Sequence, residues 1–191
     1  VVVIGGGDTA MDCVRTAIRQ EARSVKCLYR RDKENMPGSA RDVNNAEEEG
    51  VEFIWKSLPK DFIGNGKAQE ISCVKMSLSD PDEDGRQVPL EVEGSDFTVK
   101  SDMVIAALGF SPEELPVLFN EKDLPVTKWG TVRVGFDTMM TSLDGVFAAG
   151  DIVRGASLVV WGIRDGREVA NSIHDYIQMK EISSEKKVAS L

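Results

Sequence analysis

The sequence predicts an α/β fold of three layers: a parallel sheet covered on both faces, with an antiparallel meander set in before its last strand. Three observations carry that expectation. The chain opens on Val1-Val2-Val3-Ile4, a β-branched run that stops at Gly5-Gly6-Gly7 and passes at once into a helical period. Apolar runs and amphipathic stretches then alternate, as they do where parallel strands are joined by crossover helices. Finally, Ser101-Asp102-Met103-Val104-Ile105-Ala106-Ala107-Leu108 is a nearly continuous apolar run closed by Gly109 and Pro112, the pattern of a strand buried on both sides.

Taken in order, Ala10, Cys13, Val14, Ala17 and Ile18 recur at helical spacing and predict a helix over 9–21. Ser24 to Arg30 reads as the second parallel strand, and Asn35-Met36-Pro37-Gly38 as a loop. Residues 39–49 form the second helix, with Ser39 as N-cap and Gly50 as its stop, and Val51 to Trp55 is the third strand. After Pro59 the pattern changes. Ala68–Leu78, Gln87–Val92 and Phe97–Val99 read as meander strands, with Asp84-Gly85 as one of the turns. Residues 1–109 therefore make one nearly complete α/β domain.

Residues 110–191 differ. Phe110 to Asp123 reads as loop, Thr131–Val134 and Val146–Ala149 as short strands, and Gly155 to Ile163 as loop or a first helical turn. Arg164–Gln178 is a helix with Val169, Ile173 and Ile177 on one face, and Lys180 to Leu191 is a polar, frayed end. So few core strands do not make a stable sheet alone, and the segment is expected to complete a domain whose other half lies upstream. A buried strand starting at residue 1 points the same way, to an interior piece of a longer polypeptide.

Composition narrows the function. The formal net charge of −9 argues against a nucleic-acid partner. No apolar run spans a membrane and no secretory signal precedes the first strand. Glu47-Glu48-Glu49 and the acidic run from Asp80 read as solvated surface. Cys13, Cys27 and Cys73 form no close pair, so they read as three buried thiols in a reducing cytoplasm, with neither a redox disulfide nor a metal cluster.

The chemistry lies in the glycine turn. Gly5-x-Gly7-x-x-Ala10, following a strand and opening a helix, is the Rossmann fingerprint of a dinucleotide site. Gly5 makes the turn, Gly7 admits a pyrophosphate, Ala10 lets helix and strand approach, and the helix N-terminus offers free N–H groups. Asp8 and Thr9 stand at the helix start as candidate N-caps, with cofactor contact as a second role. No Gly-Lys-Ser/Thr follows, which excludes a kinase-type phosphate loop. At the end of the second strand, where an NAD site carries an acidic residue, the chain has Arg30-Arg31. A guanidinium fork pairs with a 2′-phosphate that a carboxylate would repel, so the expected cofactor is NADPH in preference to NADH. Met36-Pro37 borders the adenosine end.

A second motif is Gly145-Val146-Phe147-Ala148-Ala149-Gly150-Asp151, an apolar strand that delivers a carboxylate beside a closely approachable backbone. With it the chain resembles the two-dinucleotide-domain flavoprotein reductases, and among them the small (beta) subunits of bacterial glutamate synthase. The stretches that carry the resemblance are Gly5 to Asp12, Tyr29-Arg30-Arg31, Asn35 to Gly38, Ala46 to Val51, Ala107 to Phe110 and Phe147 to Asp151. The resemblance implies that 1–109 is an NADPH-binding domain and that 110–191 is the C-terminal segment of an FAD-binding domain. It implies Gly150 and Asp151 at the flavin ribitol, Ser157, Leu158 and Trp161 near the flavin ring, and Gly109 among the cofactor-binding residues. Trp161 reads equally as a core aromatic, and His174 as a surface histidine. The chain holds only half of an FAD site, since no second glycine fingerprint occurs in it, and iron–sulfur clusters are expected only outside it. Hydride would pass from NADPH to FAD and electrons onward to a large subunit that makes glutamate from glutamine and 2-oxoglutarate. The alternatives are the reductase subunit of a ferredoxin:NADP oxidoreductase and a non-catalytic nucleotide-binding module.

Overall fold

The computed structural model describes residues 1–83, 85 and 87–188, with 183–188 as backbone alone. The chain divides into two compact units, Val1–Gly109 and Phe110–Leu191. In the first, strands β1 (Val2–Ile4), β2 (Lys26–Leu28), β3 (Glu52–Ile54) and β8 (Val104–Ala106) form a parallel sheet in the order β3-β2-β1-β8. Ile4 lies in register with Leu28 on one side and Ala106 on the other. Helices α1 (Asp8–Arg19) and α2 (Ala40–Glu48) are the crossovers on one face. There Val3, Ala10, Met11, Val14, Cys27, Val43 and Ala46 make one apolar core.

The opposite face is covered by a small antiparallel sheet. Ile71, Cys73 and Val99 pack against Val2, Ile4 and Leu28. Successive side chains of β1 thus enter different cores, and this is why its residues are uniformly apolar. The small sheet is built around β5 (Ala68–Leu78), paired with β4 (Ser57–Gly64) along one edge. Strands β6 (Pro89–Glu91) and β7 (Phe97–Lys100) pair with Met76–Leu78 and with Glu70–Cys73, so they follow one another along β5 instead of pairing together. β4 lies where the sequence showed no strand. Pro59 and Gly64 disguise it, because both suit only an edge strand interrupted by irregularities, and the ladder shifts register after each of Pro59 and Ile63. Of the expected turn Asp84-Gly85, Asp84 lies outside the described residues, and Gly85 donates its N–H to Asp82 O at 2.9 Å.

In the second unit the strands expected at 131–134 and 146–149 are single bridges, Val126 to Val132 and Met140 to Phe147. Among the described residues neither has a neighbour with which to extend a ladder. The expected loop 110–123 contains one helical turn, α3 (Leu115–Leu118), with Pro116 at its start. Another turn, α4 (Asp151–Arg154), follows Gly150, and α5 runs over Val159–Val188. That helix begins earlier than residue 164 and, of the segment expected to fray, includes Lys180 to Val188, while 189–191 lie outside the described residues. Beyond Gly166 it meets no glycine or proline, and charged residues sustain a helix as readily as apolar ones. Phe147 packs edge-on against Tyr176, with ring centroids 5.6 Å apart.

Candidate functional site

The C-terminal ends of β1, β2 and β8 open into a cleft of about 720 Å³, at the point where strand order reverses beside β1. Open α/β sheets bind ligands there. Gly5, Gly7, Thr9, Arg30, Arg31 and Gly109 all line it, as does Pro37. The glycines are required for different reasons. Gly5 has φ +149°, and a Cβ there would lie 2.9 Å from the carbonyl carbon of Ala107 and closer still to its oxygen. Only a residue without a side chain lets β8 come so near. Gly7 has extended backbone, and a Cβ on it would meet nothing within 4 Å. Its bareness is unexplained by the fold, but a ligand approaching the backbone would use it.

Gly7 is the N-cap of α1, correcting the expectation that Asp8 or Thr9 caps the helix. Ala10 and Met11 donate to Gly7 O at 2.9 and 3.2 Å, while no described group accepts from the N–H of Gly7, Asp8 or Thr9. Those donors face the end of a helix whose dipole favours anions. The Asp8 carboxylate does not line the cleft. It accepts the N–H of Ser39 at 2.9 Å and so fastens the start of α2 to the start of α1. Ala10 is fully buried in the helix-side core and lies under the cleft as packing.

Tyr29 has a role that the sequence did not show. A Cβ on Gly6 would lie 2.6 Å from Tyr29 Cδ2, so the ring lies against the glycine turn itself. Its hydroxyl donates to Asn35 O at 2.9 Å, and its ring meets Trp55 edge-on. Burial raises the phenol above its ordinary value, against the opposing pull of Arg31 and Arg30. The turn is held from the other side by Gly38, which donates to Gly6 O at 2.9 Å. Ser57, Leu58 and Pro59 of the unforeseen β4 complete the cleft wall. Arg30 is exposed, whereas Arg31 is half-buried and its Nε is buried with no described hydrogen-bond partner. A buried guanidinium N–H left unpaired beside an open cleft matches a ligand that accepts from it.

The thiols stand apart from this site. Cys27 is buried, donates weakly to Gly5 O at 3.4 Å, and is pushed up to about 12 by burial. Burial takes Cys73 up to about 11. Cys13, expected to be buried, is only half-buried. Of the acidic triplet, Glu47 and Glu48 are exposed as expected, Glu47 facing Lys33, whereas Glu49 is half-buried and binds Arg15 and Arg19 of α1. Among the described residues no cluster of His, Cys, Asp and Glu could hold a metal, and no helix is long and apolar enough to cross a membrane.

In the second unit, Gly150 has φ +76° and leads directly into Asp151, whose carboxylate is exposed. The turn is fixed by Asp165, which sequence reasoning passed over. Asp165 is 1% exposed, binds Arg154 through two bonds of 2.5 and 2.7 Å, and accepts the N–H of Gly150 at 3.3 Å. The Arg154 guanidinium holds the Asp165 carboxyl below its ordinary range. Ser157 and Leu158 are exposed at the start of α5, where Leu158 O accepts from Trp161. Trp161 is not a core aromatic, for it lies 39% exposed near the guanidinium groups of Arg154 and Arg164. His174 is on the surface. This unit buries few large apolar side chains and leaves Phe119, Trp129, Phe136, Leu158, Val159, Val160 and Ile163 more than 60% exposed.

The pyridine nucleotide-disulphide oxidoreductase family matches residues 1–166. The glutamate synthase [NADPH] small chain of Azospirillum brasilense is 63% identical over 94% of this chain and 37% of its own length. The protein of the same name from Escherichia coli is 45% identical over 94% of this chain and 39% of its own. This chain therefore spans well under half of these relatives. Among solved structures, Mycobacterium tuberculosis FprA in complex with NADPH superposes with a TM-score of 0.75 at 13% identity, over 96% of this chain and 54% of that one. At that identity the likeness is one of fold.

Proposed function

This chain belongs to the pyridine nucleotide-disulphide oxidoreductase family, and we propose that its first unit binds NADPH while its second contributes part of an FAD site. The working protein is then an NADPH-dependent flavoprotein oxidoreductase of the glutamate synthase small-subunit kind, handing electrons to a large subunit that makes glutamate. The observation that carries the reading is the arginine pair at the end of β2, in one cleft with the glycine turn.

The residues present fit both groups. The free N–H groups of Gly7, Asp8 and Thr9 would receive the pyrophosphate, and the bare Gly7 gives it room. Arg30 and Arg31 would take the 2′-phosphate, Arg31 with the otherwise unpaired Nε. Gly109, with φ +88°, closes the far wall. In the second unit Gly150 and Asp151 would meet the flavin ribitol, with Ser157, Leu158 and Trp161 toward the ring. The apolar side chains that this unit leaves uncovered agree with a domain completed by other residues. When bound, the nicotinamide supplies a hydride and the flavin accepts it. This chain's own residues bind and orient, and none of them is needed as a nucleophile or proton shuttle. A cytoplasmic setting, with the three cysteines as thiols, belongs to the same reading.

The test is NADPH-dependent dye reduction by a polypeptide of the relatives' full length. Activity with NADPH and a bound flavin supports the enzyme, and nucleotide binding without dye reduction would make it a binding module instead. Glutamine-dependent reduction of 2-oxoglutarate in the presence of the large subunit distinguishes the glutamate synthase reading from a ferredoxin:NADP reductase.

A further inference from the structure

Directly after Arg30-Arg31, past the end of β2, the chain carries a carboxylate, Asp32, next to the position at which an acidic residue favours NAD over NADP. Its side chain nevertheless does not line the cleft. Both carboxylate oxygens are engaged elsewhere. Oδ1 accepts the backbone N–H of Asn35 at 3.2 Å and its side-chain amide at 2.7 Å, while Oδ2 faces Lys56 Nζ at 3.5 Å. These contacts, with the Asn35 amide foremost, hold the carboxyl below its ordinary range, so it stays ionised and needs partners.

The two partners are themselves fixed. The Asn35 amide also donates to Gln87 Oε1 at 3.2 Å, and the Asn35 carbonyl accepts from Tyr29 at 2.9 Å. Lys56 connects β3 to β4, and its N–H donates to Arg31 O at 2.9 Å. It does so with φ +49°, a left-handed conformation that glycine would adopt with less strain. A lysine at that position keeps a cation within reach of Asp32 in spite of the strain.

We propose that Asn35 and Lys56 are positioning residues for cofactor choice: they hold the Asp32 carboxylate out of the cleft, so that its adenosine end presents the Arg30 and Arg31 guanidiniums without a competing negative charge. The inference rests on the NADPH reading of the cleft. Released, Asp32 would repel a 2′-phosphate and would be free to accept from a ribose 2′-hydroxyl.

The test is fluorescence titration of this chain with NADPH and with NADH, for wild type, Lys56→Gln, Asn35→Ala, the double variant, and the double variant carrying Asp32→Asn. Removing both partners is expected to weaken NADPH about tenfold while NADH binds as before or tighter. Adding Asp32→Asn is expected to bring NADPH back to within about twofold of wild type. Unchanged NADPH binding in the double variant, equal weakening of both cofactors, or no recovery on adding Asp32→Asn would each overturn the proposal. Lys56→Gln keeps the length of the side chain, so it reports the charge even if the loop tolerates Asn35→Ala poorly. Wild type binding neither cofactor would overturn the cofactor reading first, and this inference with it.

Discussion

Two glycines two residues apart should fail in opposite ways when a methyl group is added. At Gly5 the new Cβ would lie 2.9 Å from the Ala107 carbonyl carbon, on a backbone with φ +149°. The left-handed strain costs about 1–3 kcal/mol, and forcing β8 off β1 adds about 1–3 kcal/mol of overpacking. Gly5→Ala should therefore lose about 2–6 kcal/mol of folding stability, enough to cost several degrees of Tm or to abolish folding. Gly7 has ordinary extended backbone with nothing within 4 Å of the added atom. Gly7→Ala should change stability by about 1 kcal/mol or less, the usual difference between glycine and alanine at an N-cap. Its methyl group would stand where a pyrophosphate approaches the free N–H groups, and NADPH should bind about ten- to a hundredfold more weakly. Urea unfolding and NADPH titration of the two variants separate the effects. If Gly7→Ala binds NADPH like wild type, or Gly5→Ala folds as stably as wild type, the assignment of these glycines is wrong.

In a polypeptide of the relatives' full length, Arg30→Ser/Arg31→Ser should raise the KM for NADPH far more than for NADH, with Arg31→Ser the more damaging single change because its buried Nε has no other described partner; equal effects on both cofactors would refute it. At pH 8 a thiol reagent should modify Cys13 first and reach Cys27 and Cys73 only on unfolding, since burial raises both above their ordinary values. The same burial makes stability pH-dependent. The Cys27 thiol's stabilising share is fully present below about pH 9 and is lost as pH rises toward 12, so Cys27→Ala should flatten the alkaline fall in Tm. Asp165→Asn should leave the first unit's NADPH affinity unchanged while weakening flavin retention by the full-length protein, because it loosens the Gly150 turn. The chain as it stands should purify with little flavin, and a stoichiometric yellow product would contradict the half-site.

The parallel sheet was legible because its signals are local. Valines buried on both faces, glycines that permit a close approach, and helical periods with caps all lie within a few residues of one another. The same holds for Arg30 and Arg31, which a short turn brings beside the glycines. What escaped reading depends on distant partners. β4 contains Pro59 and a glycine at an irregularity, tolerable only because it is an edge strand along β5. Asp165 looks like any charged residue on a helix until Arg154, across a loop, meets it. Tyr29 could have been flagged by its place before Arg30, but only the bare Gly6 beneath its ring gives it a role. Asp8 was read as a cap for its own helix and instead holds the next one. The two short strands of the second unit failed for a physical reason as well, since an apolar run becomes a strand only where a neighbour accepts its hydrogen bonds.

Calorimetric titration of this chain with NADPH and then with NADH tests the central claim most directly, because the two differ only in the 2′-phosphate assigned to Arg30 and Arg31. The expected result is one site per chain with NADPH bound at least roughly tenfold more tightly, and with the difference shrinking as salt is raised. Equal affinity, or a preference for NADH, would contradict the account.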